Sequence, residues 1–266
     1  MTHLARLEAH LGSCGRVLLG YSGGVDSALL AVVATRVLGP RRFLAAIGRS
    51  ASYPEAQRRV ASELAARFGI PLLEVDTHEL ADPRYLANPT NRCYFCKSEL
   101  WRVLGAVAAE RGFDVLMDGT NADDLGEHRP GFRAGQERQV RAPLAELGWT
   151  KTMVREAAHG LGIPIWDAPA APCLSSRVAY GLAITSDRLR QVELAEACLR
   201  DLGIRGDLRV RHHGAQARIE VLPAEQAKVT AVWDQVEARF GELGFPAVEL
   251  DPRGYRRGSL LPLAPA

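Results

Sequence analysis

Residues 16–39 read RVLLGYSGGVDSALLAVVATRVLG: an apolar strand-like run that turns at Gly23 and Gly24 and resumes as a helix-like run. Nothing else in the chain narrows its fold as much. The alternation continues. RFLAAIGRS (42–50) reads as a second strand, and YPEAQRRVASELAARFG (53–69) as a helix with Pro near its start and Gly at its end. PLLEVDT (71–77) is a third strand, CKSELWRVLGAVAAERG (96–112) a helix, and DVLMDGT (114–120) a fourth strand. KTMVREAAHGLG (151–162) is a further helix and IPIWD (163–167) a short fifth strand. Strands separated by helices in this rhythm predict an α/β fold, a parallel sheet flanked by helices. In such a sheet the ligand sits beyond the carboxyl ends of the strands. The loops at 22–27, 49–52 and 118–124 would all open on that edge. After about residue 180 the texture becomes helix (186–203), hairpin (207–222), helix (223–244) and strand (246–251). The expected division is a sheet domain over 1–175 and a smaller α+β domain over 176–266, joined through the Ala- and Pro-rich stretch 168–181.

Composition removes some function classes. A formal net charge of +2 on 266 residues makes no case for a nucleic-acid partner. The basic residues are nearly all arginine; only Lys97, Lys151 and Lys228 are lysines, so an arginine cluster carries little information and each lysine carries more. No apolar run reaches the roughly 18–20 residues of a membrane span. The start MTHLARLEAHLGSCG lacks the charged head and apolar core of a signal peptide. Five cysteines, an odd number, then point to a reducing cytoplasm, where a close cysteine pair serves a metal or catalysis rather than a disulfide.

The stretch SGGVDS follows a strand and opens a helix, where exposed N–H groups and the helix dipole favour an anion. Ser22, Gly23, Gly24 and Ser27 are the candidate phosphate contacts, and Asp26 a candidate for positioning Mg²⁺. The loop lacks the lysine of the Walker pattern, which suits cleavage between the α and β phosphates of ATP and transfer of AMP. At the fourth strand's end, MDGTNADDLGEHRPG adds Gly119, Thr120, Asn121 and Asp124, able to contact nucleotide or Mg²⁺; Arg49 and Ser50 end the second strand. The loop resembles the pyrophosphate loop of the adenine-nucleotide α-hydrolase superfamily, the PP-loop proteins of Rossmann-like fold. That group includes ATP pyrophosphatases, NAD and GMP synthetases and RNA-thiolating enzymes.

The cysteines divide into two groups. Cys14 and Cys198 have no polar company and read as packing residues. Cys93 and Cys96, in NRCYFCKSELW, are flanked by Arg92 and Lys97 at a helix start expected near Cys96, all of which favour thiolate over a thiol of pKa about 8.5. PCLSSR puts Cys173 near Arg177. Three uses compete. A redox dithiol leaves Cys173 without a role. Structural zinc needs a fourth ligand such as His78 or His128, at no recognisable spacing. An iron–sulfur cluster on three thiolates leaves one iron open to an added sulfide.

From end to end the chain resembles the LarE family of ATP-dependent sulfur transferases, which act in making the nickel-pincer nucleotide cofactor of lactate racemase. The resemblance runs through GYSGGVDSALLA, NRCYFCKSEL, DGTNADDLGEHRPG, APAAPCLSSRVAYG and RVRHHGAQARIEV. It implies binding of ATP and Mg²⁺, adenylation of a carboxylate of a pyridinium dicarboxylate mononucleotide, and replacement of an oxygen by sulfur. Some members sacrifice the sulfur of one cysteine, matching Cys173, and are left with dehydroalanine. Others bind a [4Fe-4S] cluster on three cysteines, matching Cys93, Cys96 and Cys173, and relay a sulfide from a donor. Having all three, this chain is expected to be of the cluster type and to form homo-oligomers. Its substrate carries phosphate and carboxylates and so needs cations. Arg209 and Arg211 alternate on one strand and share a face, Arg177 lies beside Cys173, and Lys97 precedes Trp101 by one helical turn. The alternatives are a tRNA-thiolating PP-loop enzyme, against which stand the near-neutral charge and the lack of an added RNA-binding domain, and a non-catalytic nucleotide- or cluster-binding module.

Overall fold

The computed structural model describes residues 2–126, 130–170, 172–256 and 258–260; His128, weighed above as a metal ligand, lies outside them. In chain order the elements are α1 (His3–Gly12), β1 (Val17–Gly20), α2 (Val25–Arg42), β2 (Phe43–Arg49), α3 (Glu55–Phe68), β3 (Leu72–Asp76), α4 (Pro83–Leu86), α5 (Arg92–Arg111) and β4 (Val115–Met117). They continue as α6 (Pro130–Gln136), α7 (Pro143–Glu146), α8 (Lys151–Gly160), α9 (Ser186–Asp201), β5 (Leu208–His212), β6 (Gln216–Val221), α10 (Pro223–Ala231), α11 (Trp233–Glu242) and β7 (Ala247–Leu250). The chain forms two compact units, Met1–Glu79 with Asn91–Ala171, and Leu80–Thr90 with Pro172–Ala266. Among the described residues no helix is long and apolar enough to cross a membrane.

The first unit is the α/β fold read from the sequence. Its four strands are parallel in the order β3-β2-β1-β4. The period of two along each strand sorts side chains to two faces. Val17, Leu19, Phe43, Ala45 and Ile47 join one core with residues of α1, α2, α3 and α8. Leu18 and Ala46 join another with Trp101, Leu104 and Ala108 of α5 and Ala134 of α6. Both faces are therefore covered, which is why these strands read as unbroken apolar runs.

Three segments depart from the sequence reading. Residues 163–167 form turns, not a fifth strand: the Ile163 N–H closes back on the Ala158 carbonyl oxygen at 2.9 Å, and Pro164 has no N–H to give a sheet. Helix α5 starts at Arg92 rather than near Cys96, so both cysteines lie inside the helix. The expected helix over 223–244 breaks into α10 and α11 at Val232, whose φ of −115° is not helical.

In the second unit β5 and β6 form the expected hairpin and β7 adds in parallel to β6. Leu208, Val210, Ile219, Val221, Phe240 and Phe245 centre its core, where Cys198 is also buried. The segment 80–90 belongs to this unit through Asn88. That fully buried residue, held at φ 52°, donates from Nδ2 to the carbonyl oxygens of Ala179 and Leu182 at 2.8 and 2.9 Å.

Candidate active site

In the first unit the strand order reverses between β1 and β4, and a doubly wound sheet opens a crevice beyond such a pair of strand ends. The glycine loop occupies the β1 side. Gly23 adopts φ 65°, and a Cβ there would lie 2.5 Å from that of Ala61, so α3 packs flush against the turn. Gly24 caps α2 with no side-chain bond, which leaves the first N–H groups of the helix without an intrahelical partner. The Ser22 and Ser27 hydroxyls are 3.1 Å apart, and Ser27 Oγ donates to the Gly24 carbonyl oxygen at 3.0 Å. Tyr53 Oη and Gln57 Nε2 donate to the Ser22 carbonyl oxygen at 3.0 and 3.1 Å, and burial raises the Tyr53 phenol above its ordinary value, which keeps it a donor.

The β4 side meets the loop directly. Gly119 passes so close that a Cβ there would lie 2.8 Å from the Ser27 nitrogen. Buried Asn121 accepts from the N–H groups of Asp123 and Asp124 at 3.0 and 3.3 Å, and its Nδ2 donates to Asp26 Oδ1 at 3.0 Å. Asp124 Oδ2 accepts from the Asn121 N–H at 3.1 Å, and Thr120 gives its carbonyl oxygen to the Ala145 N–H at 3.1 Å. Sequence reasoning missed Lys151. Its Nζ lies 2.5 Å from Asp26 Oδ2, and its backbone N–H donates to Asp123 Oδ2 at 2.8 Å. The only signal was the rarity of lysine.

Beyond β2, exposed Arg49 forms a two-pronged pair with Asp76 at 2.7 and 3.1 Å, which holds the Asp76 carboxyl below its ordinary value. The Ser50 and Ser52 hydroxyls are 2.9 Å apart, and Ser52 Oγ donates to Glu79 Oε1 at 2.9 Å. Glu79 is 2% exposed, and its Oε2 has no hydrogen-bond partner among the described residues. No sequence signal marked it.

On α5, exposed Cys93 and partly buried Cys96 are three positions apart and share a side of the helix. Lys97 follows Cys93 by one turn, its Nζ 5.4 Å from the centre of the Trp101 ring and, among the described residues, without a carboxylate within ion-pair distance. Trp101 is buried against Gly20 at the end of β1 and packs in the core on that face of the sheet.

The second unit carries the remaining candidates. Cys173 precedes a short 3-10 turn, Leu174–Arg177. Its carbonyl oxygen accepts from Ser176 Oγ at 2.7 Å and Arg177 Nη1 at 3.0 Å. Buried Arg177 also donates to both carboxylate oxygens of Glu196, at 2.9 and 3.2 Å. Arg211 donates twice to buried Glu220 Oε2, at 2.9 and 2.8 Å, and once to the Ser176 carbonyl oxygen at 3.1 Å. Arg209 stacks on Tyr255 with its guanidinium carbon 5.1 Å from the ring centre; burial, and then the charge of Arg177, lower its pKa. His212 is satisfied as a neutral ring, between Gln191 Oε1 at 2.9 Å and the Gly214 N–H at 3.2 Å.

The predicted residues thus fall into separate sets. The first unit gathers the glycine loop, Asp26 and Asn121 in one hydrogen-bonded group against which Gly119 packs, with Arg49 and Ser50 at a neighbouring strand end and Cys93, Cys96 and Lys97 on α5. Cys173, Arg177, Arg209 and Arg211 belong to the second unit. Among the described residues no three His, Cys, Asp or Glu side chains are grouped to hold a metal ion. A Mg²⁺ carried by nucleotide would need only one or two carboxylates beside phosphate and water oxygens, and Asp26 is the candidate for one of them. Of the three candidate cluster thiols, two lie on one side of α5 in the first unit and the third belongs to the second unit.

Comparison with known proteins agrees with this anatomy. A family profile described as NAD synthase matches residues 6–85, which span β1, the glycine loop, α2, β2 and β3. An uncharacterised protein of Synechocystis is 44% identical over 97% of this chain and 96% of its own length. The pyridinium-3,5-bisthiocarboxylic acid mononucleotide synthase of Lactiplantibacillus plantarum is 34% identical over 97% of this chain and 94% of its own. An uncharacterised protein of Methanocaldococcus jannaschii is 28% identical over 91% of each. With this end-to-end similarity added to the PP-loop architecture of its first unit, the chain belongs to the LarE family.

Proposed function

We propose that the protein is an ATP-dependent sulfur transferase. It adenylates a carboxylate of pyridinium-3,5-dicarboxylate mononucleotide and converts it to a thiocarboxylate, for the nickel-pincer cofactor of lactate racemase. The observation that carries the reading is the Asn121–Asp26 bond, which ties the β4 loop to the glycine loop at the strand-order reversal, in a chain similar over 97% of its length to a synthase of that bisthiocarboxylate.

A carboxylate resists attack because resonance spreads its charge and its oxygen leaves poorly. Attack of one carboxylate oxygen on the α-phosphorus makes a mixed anhydride and breaks the bond to the bridging oxygen, so pyrophosphate departs. A sulfur anion then adds to the acyl carbon and AMP departs. The N–H groups at the start of α2, with the Ser22 and Ser27 hydroxyls, hold the leaving pyrophosphate. Asp26, oriented by Asn121, would hold Mg²⁺, which when bound neutralises phosphate charge. Lys97 offers an ammonium beside Cys93 to an anionic sulfur. Cys173 is either the sulfur donor, losing its Cα proton and its Cβ–S bond to become dehydroalanine, or the third thiolate of a [4Fe-4S] cluster with Cys93 and Cys96. The cysteine set favours the cluster, which when bound leaves one iron open to a sulfide supplied by a donor in the cytoplasm. Arg177 and Arg211 hold the Cys173 turn through its carbonyl groups, and the second unit, Arg209 included, meets the substrate phosphate and makes the oligomer contacts.

The test is anaerobic purification with iron and acid-labile sulfide analysis, followed by turnover with ATP and the mononucleotide. The expected result is pyrophosphate release, repeated turnover and an unchanged protein mass. A chain lighter by H₂S after one turnover would move the sulfur source to Cys173. If replacing Cys93, Cys96 and Cys173 together by Ala left turnover intact, sulfur transfer would be excluded.

A further inference from the structure

Asp26 has both carboxylate oxygens engaged: Oδ1 accepts from Asn121 Nδ2 at 3.0 Å and Oδ2 from Lys151 Nζ at 2.5 Å. The two contacts differ in kind. The Asn121 amide is fixed in orientation, because its Oδ1 already accepts from two backbone N–H groups and its Nδ2 is left to donate. The Lys151 ammonium sits at the end of a flexible stem whose side chain is 37% exposed, while its backbone is anchored by the bond to Asp123 at 2.8 Å. Its head can therefore leave Asp26 without any change in α8. Departure would also matter chemically. The glycine loop contains no lysine, and its own donors, N–H groups and hydroxyls, are neutral. A departing pyrophosphate brings several negative charges to that loop, and Lys151 is the cation already tied to it.

We propose that Lys151 and a nucleotide-borne divalent cation exchange on Asp26 Oδ2. Before metal and nucleotide bind, the ammonium balances the carboxylate and keeps the loop in shape. When metal and nucleotide arrive the metal takes Oδ2, because an ammonium and a metal bound at about 2.0–2.1 Å cannot share one oxygen lone-pair direction. The released ammonium then turns to the phosphates. The inference rests on the ATP site argued above and adds a residue and an order of events to it: Lys151 opposes metal alone and assists nucleotide.

The two roles have opposite signs, and this gives the test. Lys151→Met keeps the length of the side chain and removes the charge. Binding of Mn²⁺ alone, followed by electron paramagnetic resonance, should become roughly three- to tenfold tighter than in the natural protein once the competitor is gone. Binding of ATP with saturating Mg²⁺, followed by equilibrium dialysis, should weaken. Lys151→Arg, which keeps the charge, should leave Mn²⁺ binding as weak as in the natural protein, and should Lys151→Met not fold, Lys151→Gln, which also removes the charge, carries the same test. Equal weakening of both ligands, or no change in either, would reduce Lys151 to a structural tie and overturn the exchange. Failure of the natural protein itself to bind ATP would instead remove the nucleotide site, and the exchange with it.

Discussion

Lys151 and Lys97 in the first unit and Arg177 and Arg211 in the second are all cations beside candidate reactive groups, yet they are held in contrasting ways. The Lys151 side chain is 37% exposed with one carboxylate partner among the described residues, and Lys97 rests on the face of Trp101. The side chains of Arg177 and Arg211 are 4% and 7% exposed, each clamped by a carboxylate and by main-chain carbonyl groups. A long stem, an open side and one partner leave a lysine able to change what it binds. A guanidinium whose donors are already matched in a buried fork holds a shape instead. The first unit's lysines are held loosely enough to change partners and the second unit's arginines are fixed on a turn, although the sequence presents Lys97, Arg177 and Arg211 alike as substrate-binding cations.

The contrast breaks most sharply at Glu220. Replacing it by Ala leaves the Arg211 guanidinium buried without its carboxylate, at a cost of about 3–5 kcal/mol. Urea unfolding of the second unit's signal measures it, and a loss below about 1 kcal/mol would mean that the arginine reaches water and is available after all. The double change Arg211→Met with Glu220→Leu should recover most of the stability, since apolar replacement of a buried pair is often neutral.

In the first unit the same kind of change should show most strongly in chemistry. Asn121→Ala removes the bond that orients Asp26, and a fall of roughly tenfold to a hundredfold in pyrophosphate release is expected, the equivalent of ~1–3 kcal/mol. Lys97→Met should stand apart from both. Its unfolding midpoint should stay within about 0.5 kcal/mol of the natural protein, pyrophosphate release should persist, and thiocarboxylate formation should fall. Loss of pyrophosphate release in Lys97→Met would place the lysine at the nucleotide rather than at sulfur.

How much of this was legible beforehand depended on how local the cause was. The apolar runs placed all four strands of the first sheet, because burial on both faces writes itself into consecutive residues. The glycine loop was legible because a strand, two glycines and a helix are contiguous. The start of α5 was not: Asn91 caps it without a side-chain bond, so no capping signal marks the true beginning four residues before Cys96. IPIWD was misread because an apolar pair under a helix end and a short strand look alike. Lys151 meets Asp26 across 125 positions, and Glu79 meets Ser52 across 27, so neither pairing leaves a spacing to recognise. The arginine pairs were invisible for the opposite reason: alternation showed that Arg209 and Arg211 share a face, and only packing reveals which carboxylates face them.

The smallest expected effect bears on the second unit's buried polar chemistry through His212. Burial, reinforced by the charge of Arg188, pushes its pKa from the ordinary value of 6.5 down to about 4. Its two ring nitrogens already serve Gln191 and Gly214 in the neutral form. Between those two values the unfolded chain takes up a proton that the folded one refuses, so stability must fall as pH drops from about 6.5 toward 4 and gain nothing from this group above 6.5. His213, also lowered by burial, adds to the same slope, whereas Asp251, lowered from 3.8 by Arg253, acts only at more acid pH. His212→Gln removes the proton site and keeps a side chain that can bond Gln191. Denaturation midpoints at pH 7 and pH 5 should therefore lie closer together in the variant than in the natural protein. An unchanged gap would show that protonated His212 is tolerated, and that this unit holds a new positive charge more readily than its locked arginines imply.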